Sequence, residues 1–314
     1  MKMSGRENSM LRSVITICTA ALFLSAVLFS EQDALELAQS LAKAGKYFEA
    51  AALFEKAAKE EPDNEEIWRE VGRCYRLSGD NKRAAEAYGK AALIIPDDPY
   101  VHIDHARSLD AVSDRISALD AYGRAVTAFT KLIATETNAA KKKVQYKDLG
   151  NVYFDMEQFP KAEEAFKEAI KVDPSYALGY NNLSAVYMKY KKYADAISAL
   201  STAYDLDPAN TKPLLNLILV YAYLKDAAKS EAYAAKALAA KTPYPHFVHL
   251  YRAILYANTG DKAAWMMHLA EAFKVDTAKP LLDYRDDIAT EHGFDVIRAD
   301  ADFVKMVKGR FGQQ

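Results

Sequence analysis

Small and aromatic residues recur along this chain at helical spacing. In EAAALFEKAAKEEPDN (49–64), RAAEAYGKAALIIPDD (83–98), KAEEAFKEAIKVDPSY (161–176) and DAISALSTAYDLDPAN (195–210), the order is constant. An Ala is followed four positions on by an aromatic residue or Leu, three further by a second Ala, and five beyond by Pro. The quartets are Ala50, Phe54, Ala57, Pro62; Ala84, Tyr88, Ala91, Pro96; Ala162, Phe166, Ala169, Pro174; and Ala196, Leu200, Ala203, Pro208. Spacings of three, four and seven gather on one face of a helix. Each segment therefore predicts an amphipathic helix that Pro ends. The first two quartets lie 34 residues apart, as do the last two.

A second stripe precedes each of these. Trp68, Val71, Gly72 and Tyr75 share one spacing with Tyr146, Leu149, Gly150 and Tyr153, and nearly with Tyr180, Leu183, Ser184 and Tyr187. The unit is thus a helix pair, with Gly72 and Gly150 leaving room for the partner helix. These slots resemble the tetratricopeptide repeat, W-x2-L-G-x2-Y followed by the Ala and Pro positions, over most of residues 31–279. The resemblance implies an all-α fold, a right-handed superhelical solenoid, because one pair cannot bury its apolar faces without neighbours.

Seven units are predicted: 31–64, 65–98, 99–132, 143–176, 177–210, 211–244 and about 246–279. The third keeps Ala118, Tyr122 and Ala125 but puts His102 and His105 in large apolar slots. IATETNAAKK (133–142) is an insertion, expected as a lengthened helix or a loop. The sixth has the thinner set Ser230, Ala234 and Ala237. The seventh needs a one-residue shift to align Ala253, Tyr256, Trp265, Leu269 and Ala272. The tail, 280–314, leaves the period and is expected as a helical cap carrying Phe294, Ile297, Phe303, Met306 and Val307.

Before the repeats, Lys2, Arg6 and Arg12 precede a charge-free run, Ser13 to Phe29. A basic segment before an apolar one is the layout of an export signal, and 17 residues is the lower limit of a membrane span. Residues 1–30 are read as a cleaved signal peptide or an uncleaved anchor, with Met10 an alternative start. Both readings put residues 31 onward outside the cytoplasm, periplasmic or envelope-associated. Ile17, where a small residue should precede a lipidated Cys18, speaks against a lipoprotein.

Composition narrows the chemistry. Apolar residues are 51% and charged residues 27%, which suits a packed core. The net charge of −2 gives no general attraction to nucleic acid. Cys74 is the one body cysteine and reads as an apolar filler. There is no phosphate loop, nucleophile elbow or H-E-x-x-H, so neither a catalytic residue nor a cofactor is expected. His102 with His105, and His246 with His249, each share a helix face, but no third ligand accompanies either pair, and no metal is expected. Lys141-Lys142-Lys143 reads as a solvated helix end, with an anionic lipid or acidic partner as its alternative.

Two candidate surfaces remain. In this family the first helix of each pair lines the concave groove, and the positions there are Lys147, Asn151, Asn182, Lys212 and Asn216, at gaps of 4, 31, 30 and 4. They resemble the carboxylate clamp of co-chaperone repeats, which grips the C-terminal carboxylate of an extended peptide. Asn216 departs from it, since the family's clamp has Arg there. Further along, groove positions turn apolar: Leu215, Leu219, Tyr223, Phe247, Leu250, Tyr251 and Ile254. Either the tail folds over them, or they receive a partner helix or a lipid-like ligand. The expected function is a non-enzymatic scaffold binding a protein or peptide in its groove. The alternative is a ligand-handling protein associated with a transporter, since some exported proteins of similar layout partner solute-binding proteins of TRAP-type transporters.

Overall fold

The computed structural model describes residues 34–275 and 294–311. The apolar run 13–29 and the tail segment 280–293 lie outside them. Among the described residues every regular element is a helix, and neighbouring helices pack as helix-turn-helix pairs. The chain forms two compact units, Met1–Ala128 and Phe129–Gln314.

In the first unit a helix over 34–43 (α1) precedes α2 (Tyr47–Glu60), α3 (Glu65–Leu77), α4 (Asn81–Ile94) and α5 (Pro99–Ala111). Asn64, Asp80 and Asp98 cap the starts of α3, α4 and α5 by accepting backbone N–H bonds. The typed slots form the core: Ala50, Phe54, Trp68, Val71, Tyr75, Ala84, Tyr88 and Ala91 are buried in one cluster, with Ala57 half-buried against it. α6 (Arg115–Thr135) runs across the division between the units.

The second unit contains α7 (Ala139–Asp155), α8 (Phe159–Val172), α9 (Ala177–Lys189), α10 (Tyr193–Leu206), α11 (Lys212–Tyr223), α12 (Ala227–Ala239), α13 (Pro245–Thr259), α14 (Lys262–Val275) and α15 (Ala301–Phe311). The insertion is mostly helical: α6 runs on to Thr135, α7 starts at Ala139, and Asn138 caps α7 through Lys141 N at 3.2 Å. The thin sixth unit is filled from α11, where Leu214, Leu215 and the whole of Leu217–Ala222 are buried. Ser230 takes the place of a core Ala by donating its hydroxyl to the Ile218 carbonyl at 3.1 Å, which satisfies the buried oxygen.

One conformational feature marks every pair. The turn after the first helix holds one left-handed residue: Gly45, Gly79, Ser113, Glu157, Lys191, Lys225 and Gly260. The residue that follows closes the helix, as when Gln158 N donates to Tyr153 O at 2.8 Å and Lys192 N to Tyr187 O at 2.8 Å. The accepting carbonyl belongs to the Tyr slot, five residues before the closing N–H, or to the Leu that stands there, Leu41 or Leu109.

Candidate functional site

First helices of successive pairs neighbour one another in the second unit, α7 with α9 and α9 with α11. This brings asparagines from three helices into one hydrogen-bonded chain. Asn216 Nδ2 donates to Asn181 Oδ1 at 3.1 Å, Asn181 Nδ2 to Asn182 Oδ1 at 3.3 Å, and Asn182 Nδ2 to Asn151 Oδ1 at 2.9 Å. All four are half-buried. Asn181 is the link that helical spacing does not reveal, because adjacent positions on a helix point about 100° apart.

The lysines of the same set behave differently. Lys147 Nζ lies 2.6 Å from Asp148 Oδ1, so its charge is already paired. Lys212 is exposed, with its ammonium 5.7 Å from the Tyr244 ring centre. The structure therefore joins Asn151, Asn182 and Asn216, and gives Lys147 and Lys212 separate partners. In the neighbouring basic run, Lys143 pairs with Asp173 at 2.5 Å; that lysine and Ser175 hold the Asp173 carboxyl down to about 2.

Beside the asparagines is a cleft of about 570 Å³. Phe154, Ala185, Met188, Lys189, Lys191, Tyr193, Asn216, Leu219, Tyr223 and Asp295 line it. Asn216 thus belongs to both features.

Most of the predicted apolar stretch is interior. Leu215, Leu219, Leu250 and Ile254 are buried, while Tyr223, Phe247 and Tyr251 are half-buried. Phe294, Ile297 and Phe303 share one core with Leu219, Leu250, Ile254, Trp265 and Leu269, and Met306 and Val307 pack against it. The tail residues thus pack on α13 and α14, as the closing segment of a repeat array does, whereas Leu215 is buried with Ala234, Ala237 and Val248.

The histidines separate. His102 is buried, and its Nε2 lies 2.9 Å from Pro96 O, repeating the bond of Trp68 Nε1 to Pro62 O at 3.0 Å one repeat earlier. His102 therefore stands in for the tryptophan of that slot. His246 lies against Phe247, with ring centres 4.5 Å apart. His249 instead faces His268 of α14 at 5.8 Å, and His268 stacks on Tyr256 at 5.3 Å. Beside them Arg252 Nε and Tyr256 Oη both donate to Glu231 Oε1 at 2.9 Å. Burial and the nearby Arg252 push His268 down to about 4. Among the described residues no three His, Cys, Asp or Glu side chains are grouped to hold a metal.

Comparison with known proteins agrees with this geometry. Sequence profiles of the tetratricopeptide repeat match residues 35–100, 144–176 and 177–210. No curated protein matches the sequence. Among solved structures, the chain is similar to PilW, a widely conserved type IV pilus biogenesis factor, at 21% identity and a TM-score of 0.52, over 70% of this chain and 97% of that one. It is also similar to human IFIT1, solved as a dimer with m7Gppp-AAAA, at 17% identity and a TM-score of 0.56, over 89% of this chain and 69% of that one. At such identities the likeness concerns the fold. With the repeat profiles matched where the helix pairs and their buried slots stand, residues 35–100 and 144–210 are tetratricopeptide repeats.

Proposed function

We propose that the chain is a non-enzymatic scaffold that works outside the cytoplasm and holds an extended peptide of a partner protein along α7, α9 and α11. The observation that carries this reading is the asparagine chain across three helices. A side-chain amide has two N–H donors and an oxygen with two lone pairs. In Asn182, one N–H and one lone pair are engaged by Asn151 and Asn181, which leaves capacity for a peptide N–H or C=O. The Lys147–Asp148 pair offsets the charge that a terminal carboxylate would seek, so the set suits peptide backbone better than a peptide end.

Panning the full chain with peptides bearing free C-termini supplies ligands for the test. Asn182→Ala is expected to weaken selected peptides about tenfold, the loss of one to two hydrogen bonds. Amidating the peptide should change affinity less than about threefold. Unchanged binding by Asn182→Ala would sink the reading, and a tenfold loss on amidation would move the grip to Lys147 and Lys212. The location rests on Lys2, Arg6 and Arg12 before the charge-free run 13–29. A reporter active only outside the cytoplasm, fused after Ser30, should be active; activity confined to a cytoplasmic reporter overturns it.

The cleft favours a second reading, a ligand-handling protein that partners a solute-binding protein. A scaffold for peptides needs no cleft of this volume.

A further inference from the structure

The cleft at the end of the asparagine chain differs in chemistry from the rest of the groove. Its volume, about 570 Å³, falls in the range of small-molecule sites. Phe154, Met188, Leu219 and Tyr223 give it an apolar wall. Tyr193 stacks on Tyr223 with ring centres 6.0 Å apart, so each ring limits the other's rotation. Lys189 and Lys191 are exposed on the rim, and the Lys189 ammonium stands 6.0 Å from the Phe154 ring centre. Asp295 is the acidic lining residue, and its Oδ1 accepts from Arg298 Nη2 at 2.8 Å. Two cations face one neutralised anion, so the rim favours a negative ligand.

The tail limits what can lie there. Asp295 lines the cleft, while Phe294 and Ile297 on either side of it share a core with Leu219. The turn carrying Asp295 thus stands beside Asn216, at the α11 end of the asparagine chain. A ligand that ends within the cleft fits better than one that passes through.

We propose that the cleft binds a small apolar carboxylic acid. Its hydrocarbon body lies against Phe154, Met188, Leu219 and Tyr223, and its carboxylate lies between Lys189 and Lys191. Asn216 supplies an amide from the groove side. This inference rests on the ligand-handling reading and adds the charge and size of the ligand.

The test titrates the full chain with octanoate, octanol and octylammonium, following the methyl resonance of Met188, which lines the cleft. Octanoate should shift it and bind at least about fivefold tighter than octanol, as two solvent-exposed ammonium groups allow. Sodium chloride should weaken octanoate and leave octanol unchanged. The double variant Lys189→Gln/Lys191→Gln should erase the preference while keeping octanol binding. Ala185→Trp, which fills the cleft, should remove both. Equal affinity for acid and alcohol overturns the acid assignment and leaves the ligand-handling reading standing. No Met188 shift with any of the three overturns both. Displacement of octanoate by a leucine-ended peptide at equal or lower concentration would return the cleft to the peptide.

Discussion

A Cβ built on Gly150 would stand 2.5 Å from the Phe166 ring, and one on Gly72 would stand 2.9 Å from the Tyr88 ring. Both rings are buried and cannot swing away. Gly150→Ala gains about 1 kcal/mol in helix propensity and loses about 1–3 kcal/mol to overpacking, so a net loss near 1 kcal/mol is expected. Gly150→Leu should cost about 3 kcal/mol. Gly123, in α6, meets nothing within 4 Å, so Gly123→Ala should stabilise by about 1 kcal/mol. Urea denaturation of the three variants checks the contrast, and equal midpoints for Gly150→Leu and the parent would refute it. His268 gives a pH dependence of defined sign. Its midpoint is about 4 in the folded chain against 6.5 for a free imidazole. Between those values the unfolded chain binds more protons, so stability is full above pH 6.5 and falls as pH drops toward 4. The span corresponds to about 3 kcal/mol. His268→Gln should reduce this slope in denaturation midpoints measured from pH 7 to 4, with His105 and His249, also held down by burial, carrying part of the remainder.

At the scale of the element, the left-handed turn residues keep the repeat's own period. Gly45, Gly79 and Ser113 are 34 apart, as are Glu157, Lys191 and Lys225. The step from Ser113 to Glu157 is 44, which is 34 plus the ten-residue insertion, and that from Lys225 to Gly260 is 35, the one-residue shift of the seventh unit. Backbone conformation thus repeats where side chains do not. Four of the seven positions hold residues with a Cβ, which disfavours this region by about 1–2 kcal/mol. The helix-closing hydrogen bond and the packing of each pair hold them there. Glu157→Gly should relieve the strain at some cost in unfolded-chain entropy. A net gain of about 0.5–1 kcal/mol is expected, read as a higher thermal midpoint; a lower midpoint would show that the Glu157 side chain contributes more than its backbone costs.

At the scale of the whole molecule, each compact unit carries its own apolar clusters, and the last cluster is closed by residues outside the repeat. Phe303 lies 6.1 Å from Trp265 and 5.5 Å from Phe294 by ring centres and is buried. Phe303→Ala should cost about 3–5 kcal/mol of local stability. Repeat arrays lose cooperativity along their length, so the loss should concentrate in α13 and α14. Hydrogen exchange would show their amides deprotected while those of α3 and α4 stay protected; uniform loss along the chain would contradict it. Among the described residues no helix is long and apolar enough to cross a membrane.

The sequence by itself determined the repeating unit. Ala84, Tyr88 and Ala91 are buried beside Trp68, Val71 and Gly72 because helical spacing leaves them one face to share, and that face needs a partner. Local periodicity carries such information in full, since helix pairs pack through residues close in sequence. The contacts between separate elements were decided by the tertiary structure. Spacing put His246 beside His249, whereas the fold gave His249 to His268 on the next helix. Spacing gave Lys147 and Asn151 one role, whereas the fold paired Lys147 with its neighbour Asp148 and linked Asn151 to Asn182 31 residues away. The apolar stretch from Leu215 to Ile254 read as a face under the tail or as an open one. Phe294 to Phe303 follow no period, and only packing could bring them against Leu219, Leu250 and Ile254, while Leu215 is buried with Ala234, Ala237 and Val248 instead.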